Sequence, residues 1–185
     1  MRLLGGLWRG RMIAAPADRD IRPTAQRTRE SLFNRLMHAF APQSFTLAGA
    51  HVVDVCAGSG ALGLEALSRG AVHVTFIEQA PVALDLLHRN IVALGAEDRT
   101  RILRADVRSL PRSSHPCDLA LIDPPYGTGL VAPILTGLAT QNWLRCGALV
   151  TVETGADEEV AVPPGYALID RRVTGRAAVT VLQTD

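Results

Sequence analysis

The stretch Asp54-Val55-Cys56-Ala57-Gly58-Ser59-Gly60-Ala61-Leu62-Gly63 decides the architecture. The apolar run 51–56 that leads into it reads as a strand, and residues 61–69 after it read as a helix. Gly58, Gly60 and Gly63 therefore form a GxGxxG pattern at a strand-to-helix turn. Glycines at such a turn let a ligand lie against the backbone at a helix N-terminus. Outward from this point the alternation continues. Strands are expected at 72–77, 100–103, 119–122 and 148–153, and helices at 81–94 and 131–141. Strands this apolar are covered on both faces, which predicts an α/β fold with a mostly parallel sheet between helices. The tail differs: runs 166–173 and 177–183, joined through Thr174-Gly175-Arg176, read as a terminal antiparallel hairpin.

Upstream, residues 2–15 read as a hairpin turning near Arg9-Gly10, and 16–23 as a polar linker. A helix is expected from about Thr24, its N-cap, to Phe40, with Leu32, Phe33, Leu36, Met37 and Phe40 as its apolar stripe. This divides the chain into a basic N-terminal segment, 1–40, and a body, 41–185.

The formal net charge of +1 over 185 residues conceals that division. Residues 1–35 carry eight arginines against Asp18, Asp20 and Glu30, a balance of +5, and the remainder carries −4. All 19 basic residues are arginine. That bias by itself fits a GC-rich genome, and only the positions of the arginines carry a functional signal. No apolar run approaches the roughly 20 residues of a membrane span. Arg9 and Arg11 interrupt the apolar start before it reaches signal-peptide length. Cys56, Cys117 and Cys146 are odd in number and widely spaced, which predicts neither a disulfide framework nor a metal site. A cytoplasmic location is expected.

Acidic residues at successive strand ends narrow the choice of cofactor. Glu78 follows Gly58 by 20 residues and ends the second strand, where a carboxylate accepts hydrogen bonds from a ribose diol. Up to this point a nicotinamide or a flavin fits equally well. Asp54, four residues before the first glycine, would repel a pyrophosphate and attract a cationic sulfonium. Asp106 follows the third strand, where it can accept from an adenine amino group; its structural alternative is a helix N-cap. Asp54, Ala57, Gly58, Ser59, Gly60, Glu78 and Asp106 are thus candidate contacts for S-adenosyl-L-methionine.

The fourth strand ends in Asp123-Pro124-Pro125-Tyr126. Two prolines fix the backbone and remove two donors. The loop is left with acceptors, the Asp123 carboxylate among them, and the flat face of Tyr126. This suits a planar substrate with an exocyclic amine, whose lone pair must be turned toward a methyl donor. Asp123 can take up the released proton.

The Asp123-Pro124-Pro125-Tyr126 motif resembles that of methyltransferases acting on exocyclic amines of nucleobases. The run Ala57-Gly58-Ser59-Gly60-Ala61-Leu62-Gly63-Leu64-Glu65-Ala66-Leu67-Ser68-Arg69-Gly70-Ala71 is more specific. Together with Gly5-Gly6-Leu7-Trp8-Arg9-Gly10-Arg11 and Arg22-Pro23-Thr24…Arg27-Thr28-Arg29-Glu30, it is similar to the bacterial RsmD family. The resemblance implies a Rossmann-like class I methyltransferase fold, a seven-stranded sheet with an antiparallel last strand. It implies S-adenosyl-L-methionine as cofactor and a guanine of 16S rRNA as substrate, methylated at N2 in the small ribosomal subunit or a late assembly intermediate. The chain departs from the family at Ala25-Gln26, where aspartate usually ends the pair, and at Cys56, which replaces a frequent aromatic.

Arg9, Arg11, Arg22, Arg27 and Arg29 precede the body and are candidate contacts for RNA phosphates. Trp8 can stack on an unpaired base or pin the hairpin to the body. A monomer is expected. Two other functions remain open: a DNA adenine amino-methyltransferase, which would use the same acceptor loop, and a non-enzymatic ribosome-assembly factor that binds cofactor and RNA.

Overall fold

Residues alternate between two apolar layers along every central strand of a computed structural model of the chain. Val52, Leu119 and Leu121 face one layer, while Val53, Val55, Ala120 and Ile122 face the other. Residues 1–15, 23–39 and 45–185 are described, without the side chains of 23–25. The strands are β1 (His51–Val55), β2 (His73–Glu78), β3 (Thr100–Arg104), β4 (Cys117–Ile122), β5 (Leu144–Gly155), β6 (Tyr166–Thr174) and β7 (Ala177–Thr184). They form one seven-stranded sheet in the order β3-β2-β1-β4-β5-β7-β6. Six strands run parallel, and β7 is antiparallel to both neighbours.

The helices are α1 (Pro23–His38), α2 (Ala61–Ser68), α3 (Pro81–Leu94) and α4 (Val131–Thr140). The first layer holds Leu32, Phe33 and Leu36 of α1, Leu64 and Leu67 of α2, and Leu87 and Ile91 of α3. The second holds Ile134, Leu135 and Leu138 of α4 with Trp143 and Tyr166. Among the described residues, no helix is long and apolar enough to cross a membrane.

Three expectations need correction. First, β5 begins at Leu144 rather than 148, because the polar start Arg145-Cys146-Gly147 hides it. Cys117 pairs with Leu144 but Leu119 with Leu149, so β5 is bulged there, and Gly147 takes φ +75° at the irregularity. Second, α1 starts at Pro23, whose fixed φ suits a first helical turn, and Met37 is exposed rather than part of the stripe. Phe40 and Arg22 lie outside the described residues.

Third, the hairpin expected over 2–15 is reduced to a few rungs: Met1 and Ile13 exchange backbone hydrogen bonds at 2.8 Å, and the Leu3 N–H donates to the Arg11 carbonyl at 3.0 Å. A single antiparallel bridge, Arg2↔Met12, closes a loop that turns through a 3₁₀ segment at Gly6–Trp8. The loop is shaped by what it lies on. Leu3, Trp8 and Ile13 are buried in the same layer as α1, α2 and α3. The Leu4 N–H donates to Glu65 Oε2 at 2.8 Å, the Trp8 N–H donates to Ser68 Oγ at 2.9 Å, and Ser68 Oγ donates to the Gly5 carbonyl at 2.5 Å. A Cβ on Gly6, at φ +72°, would stand 1.6 Å from the Ser68 carbonyl oxygen.

Candidate active site

Strand register brings the acidic residues together. β1 pairs Val55 with Ile77 of β2 and with Ile122 of β4, and β4 pairs Ile122 with Val152 of β5. The next residue on each strand is therefore level with the others: Glu78, Cys56, Asp123 and Glu153 form a row across the C-terminal edge of the parallel strands. Ligands of open α/β sheets bind at that edge.

The glycines of the loop divide their work. A Cβ on Gly60 would lie 2.4 Å from Leu87 Cδ1, and one on Gly63 would lie 2.4 Å from Phe76 Cε1. Gly60 thus makes room for α3, and Gly63 lets α2 approach β2. Gly58, at φ +57°, has nothing nearer its added Cβ than the Cys56 carbonyl oxygen at 4.0 Å. It opens onto free space and forms a cradle.

Around the cradle the carboxylates take distinct positions. Asp54 is buried; its Oδ2 accepts the Gly63 N–H at 2.8 Å, and its Oδ1 has no partner among the described residues. Burial pushes its pKa well above the usual carboxylate range; the Gly63 N–H opposes the shift, and Asp123 and Glu78 add to it. Glu78 Oε2 accepts the Gly58 N–H at 2.9 Å, and Oε1 accepts the Gln79 and Ala80 N–H groups at 2.8 and 2.9 Å. Glu78 thus braces the glycine loop against the start of α3, while Oε2, with one donor, retains capacity for a second. Asp106 is exposed; its Oδ1 accepts the Arg108 N–H at 2.9 Å, so it caps its own turn. Cys56 takes φ +62°, and burial, with Glu78, Asp54 and Asp123 nearby, pushes its thiol up to about 12.

Asp54, Glu78 and Asp123 lie close enough to interact electrostatically, and such a group of acids favours a cationic ligand. The unpartnered Asp54 oxygen and the open face of Gly58 fit S-adenosylmethionine, which joins a sulfonium and an amino group to a ribose and an adenine. Ala57 and Ser59 lie between these anchors, and the Ser59 carbonyl is held by Asn90 Nδ2 at 2.9 Å. Among the described residues no group of three or more His, Cys, Asp or Glu side chains could hold a metal ion.

The Asp123-Pro124-Pro125-Tyr126 loop follows β4 directly. The Asp123 N–H points back to the Val55 carbonyl at 3.4 Å, Pro124 is buried, and Pro125 and Tyr126 are exposed. Two acids from the β5 side hold the loop, and neither stands out in the sequence. The Tyr126 hydroxyl donates to Glu153 Oε1 at 2.8 Å, and the Gly127 N–H donates to Glu158 Oε1 at 2.8 Å. Pro124, Pro125, Tyr126, Glu153 and Glu158 line a cleft of about 160 Å³. The only sequence signal for Glu153 is its place at the end of an apolar strand. Asn90 is equally inconspicuous: its side chain joins Ala14 to the glycine loop from inside α3, where its polarity gives no hint of a partner.

The candidate RNA contacts separate. Arg9, Arg11 and Arg27 are exposed, with Arg11 Nη2 donating to the Ala93 carbonyl at 2.6 Å. Arg29 is turned inward, a correction to its expected surface position. It is buried and donates to the Arg2 carbonyl at 2.7 Å and to Met1 Sδ at 2.8 Å. Burial lowers its pKa, while Glu65 and Glu153 favour its charge. Trp8 is also buried, with the Arg99 guanidinium 5.0 Å above its ring, so it pins the N-terminal loop to the body.

A sheet of order 3-2-1-4-5-7-6 with an antiparallel seventh strand, carrying this edge of acids and an Asp-Pro-Pro-Tyr loop, defines a Rossmann-like class I methyltransferase. The model of the family described as "Conserved hypothetical protein 95" matches residues 1–183. "Ribosomal RNA small subunit methyltransferase D" of Escherichia coli K12 is 35% identical over 187 residues, covering 100% of this chain and 90% of the relative. The protein of the same name from Haemophilus influenzae is 33% identical, covering 99% and 93%. The solved structure of yhhF from Escherichia coli superposes with a TM-score of 0.85 at 35% identity, covering 100% of this chain and 98% of that one. The chain belongs to the RsmD family.

Proposed function

We propose that the protein transfers a methyl group from S-adenosyl-L-methionine to the exocyclic N2 amine of one guanine in 16S rRNA. The substrate is the small ribosomal subunit or a late assembly intermediate, and the protein acts as a cytoplasmic monomer. The relatives' names support the RNA class. The observation that carries the chemistry is Asp123, level with Cys56 beside the cofactor cradle on one side and joined through Pro124-Pro125 to the exposed Tyr126 on the other.

S-adenosylmethionine supplies an electrophilic methyl group beside a positive sulfur when bound. Asp54 and Glu78 would hold its charged and diol portions, Gly58 would admit it to the backbone, and Asp106 would accept from its adenine amine. Tyr126 stacks on the base and fixes its plane. Asp123 and the loop carbonyls accept the amine's N–H bonds, which turns the nitrogen lone pair toward the methyl carbon. The proton lost from nitrogen passes to Asp123. Such orientation of two bound reactants supplies most of the acceleration, and a positioned proton acceptor adds about 10²–10⁴-fold. Arg9, Arg11, Arg22 and Arg27 contact phosphates and set the RNA's approach, while the pocket chooses the base.

The test is base-resolved mapping of rRNA methylation in cells lacking the gene, complemented by the wild type and by Asp123→Ala. The expected result is one 16S guanine that loses its methyl group in the deletion and regains it with the wild type only. Unchanged methylation of every 16S guanine in the deletion overturns the proposal. Rescue of an assembly defect by Asp123→Ala would instead favour the binding-factor reading.

A further inference from the structure

The register of β4 and β5 sets a second acid beside the first. Ile122 pairs with Val152, so Asp123 and Glu153 stand level on adjacent parallel strands, whose backbones are about 4.8 Å apart. Both side chains therefore emerge on the same side of the sheet at its ligand-binding edge. Glu153 lines the same cleft as Pro124, Pro125 and Tyr126. Its Oε1 accepts the Tyr126 hydroxyl at 2.8 Å, which ties the carboxylate to the ring proposed to stack on the base. A carboxylate has about four acceptor positions, so one carboxylate can serve the tyrosine and further donors together.

We infer that Glu153 is a specificity-determining residue, selecting a base whose ring nitrogen next to the target amine bears a proton. The inference rests on the guanine reading above and supplies its physical basis. Three nucleobases carry an exocyclic amine. In guanine the amine lies between N1–H, a donor, and the N3 lone pair. In adenine N6 adjoins the N1 lone pair, and in cytosine N4 adjoins the N3 lone pair. When Asp123 accepts from the amine, an acid one strand away faces the atom beside that amine. It accepts a proton-bearing nitrogen and repels a lone pair. A desolvated acceptor facing a second acceptor is the strongest form of such discrimination. The same carboxylate fixes the Tyr126 ring, so the stacking plane and the reading of the base edge share one anchor.

2,6-Diaminopurine keeps the 2-amine and the flat ring, replaces N1–H with a lone pair and O6 with an amine, and the comparison with Glu153→Gln isolates the N1 part. The experiment uses the full chain and small subunits reconstituted with 16S rRNA that carries either guanine or 2,6-diaminopurine at the position methylated by the wild type. The measured quantity is the ratio of kcat/KM values for the two substrates. The wild type is expected to favour guanine by about tenfold or more. Glu153→Gln keeps an acceptor for the Tyr126 hydroxyl but offers an amide in place of the charge, and it is expected to shrink the ratio at least about fivefold. Tyr126→Phe is expected to leave the ratio unchanged while raising KM. No guanine preference in the wild type, or an unchanged ratio in a Glu153→Gln protein that still binds cofactor, overturns the inference. A wild type that methylates neither subunit overturns the proposed function instead.

Discussion

Asp54 Oδ2 accepts the Gly63 N–H at 2.8 Å, whereas its Oδ1 is buried with no partner among the described residues. One oxygen serves the fold by capping the first turn of α2, and the other is the one proposed to meet the charged portion of the cofactor. Burial raises the carboxyl's pKa in the folded protein, so the folded chain holds that proton more tightly than the unfolded one. Stability from this group is therefore greatest below the unfolded pKa and is lost as pH rises through the folded one. Without cofactor, Tm is expected to fall as pH rises above the ordinary carboxylate range in the wild type. Asp54→Asn keeps the cap, and it is expected to flatten that slope and weaken S-adenosylmethionine binding. Thermal melts across pH and calorimetric titration check both effects.

Gly6 lies against the Ser68 carbonyl, where an added Cβ would stand at 1.6 Å and at an unfavourable φ. Gly6→Ala is expected to detach the N-terminal loop from α2 and expose Trp8. The stability loss should exceed about 2 kcal/mol in denaturant titrations, accompanied by a red shift in tryptophan emission.

Glu65 is fully buried in α2, accepting the Leu4 N–H and pairing with Arg69 Nε at 2.6 Å. Removing one partner of a buried pair leaves the other charge uncompensated. Glu65→Ala is expected to cost about 3–5 kcal/mol, measured by chemical denaturation.

These interactions explain what the sequence could and could not disclose. The order of elements in the body was legible because β1, β2 and β4 are continuous apolar runs between glycine and proline signals. Asp54, Glu78 and Asp123 were legible because strand ends in a parallel sheet lie along one edge. The N-terminal loop was not, because its conformation comes from Glu65, Ser68 and Arg69, some sixty residues away. Part of the run that resembles the RsmD family thus serves docking rather than catalysis. Arg29 carries the same charge as Arg27 two positions earlier, and only the direction each takes from α1 separates a buried strut from a surface cation. Glu153 stayed hidden because its significance depends on register, which a single strand does not reveal.

The three cysteines differ in chemistry despite sharing a thiol. Cys146 is exposed, while burial pushes Cys56 and Cys117 up to about 12. The thiolate is the reacting species. Iodoacetamide at neutral pH is expected to modify Cys146 first, leaving Cys56 and Cys117 intact until the chain unfolds, as read by peptide mass spectrometry.

Arg9 and Arg27 are exposed, and Arg11 is exposed while holding the Ala93 carbonyl. Arg29, nearby in sequence, is buried against Met1 and Arg2. If the exposed arginines meet RNA phosphate, each releases counterions on binding and adds to the salt dependence of affinity. The triple variant Arg9→Ala, Arg11→Ala, Arg27→Ala is expected to bind small subunits more weakly. The slope of log K against log salt should fall by about 1 for each phosphate no longer neutralised. Cofactor affinity should not change, because none of the three touches the glycine loop. Arg29→Ala is expected to do the reverse, lowering stability by at least about 1 kcal/mol with the salt slope retained. Filter binding over a salt series, paired with denaturant titration, separates the two behaviours. Equal salt slopes for the triple variant and the wild type would remove these arginines from the RNA-binding surface.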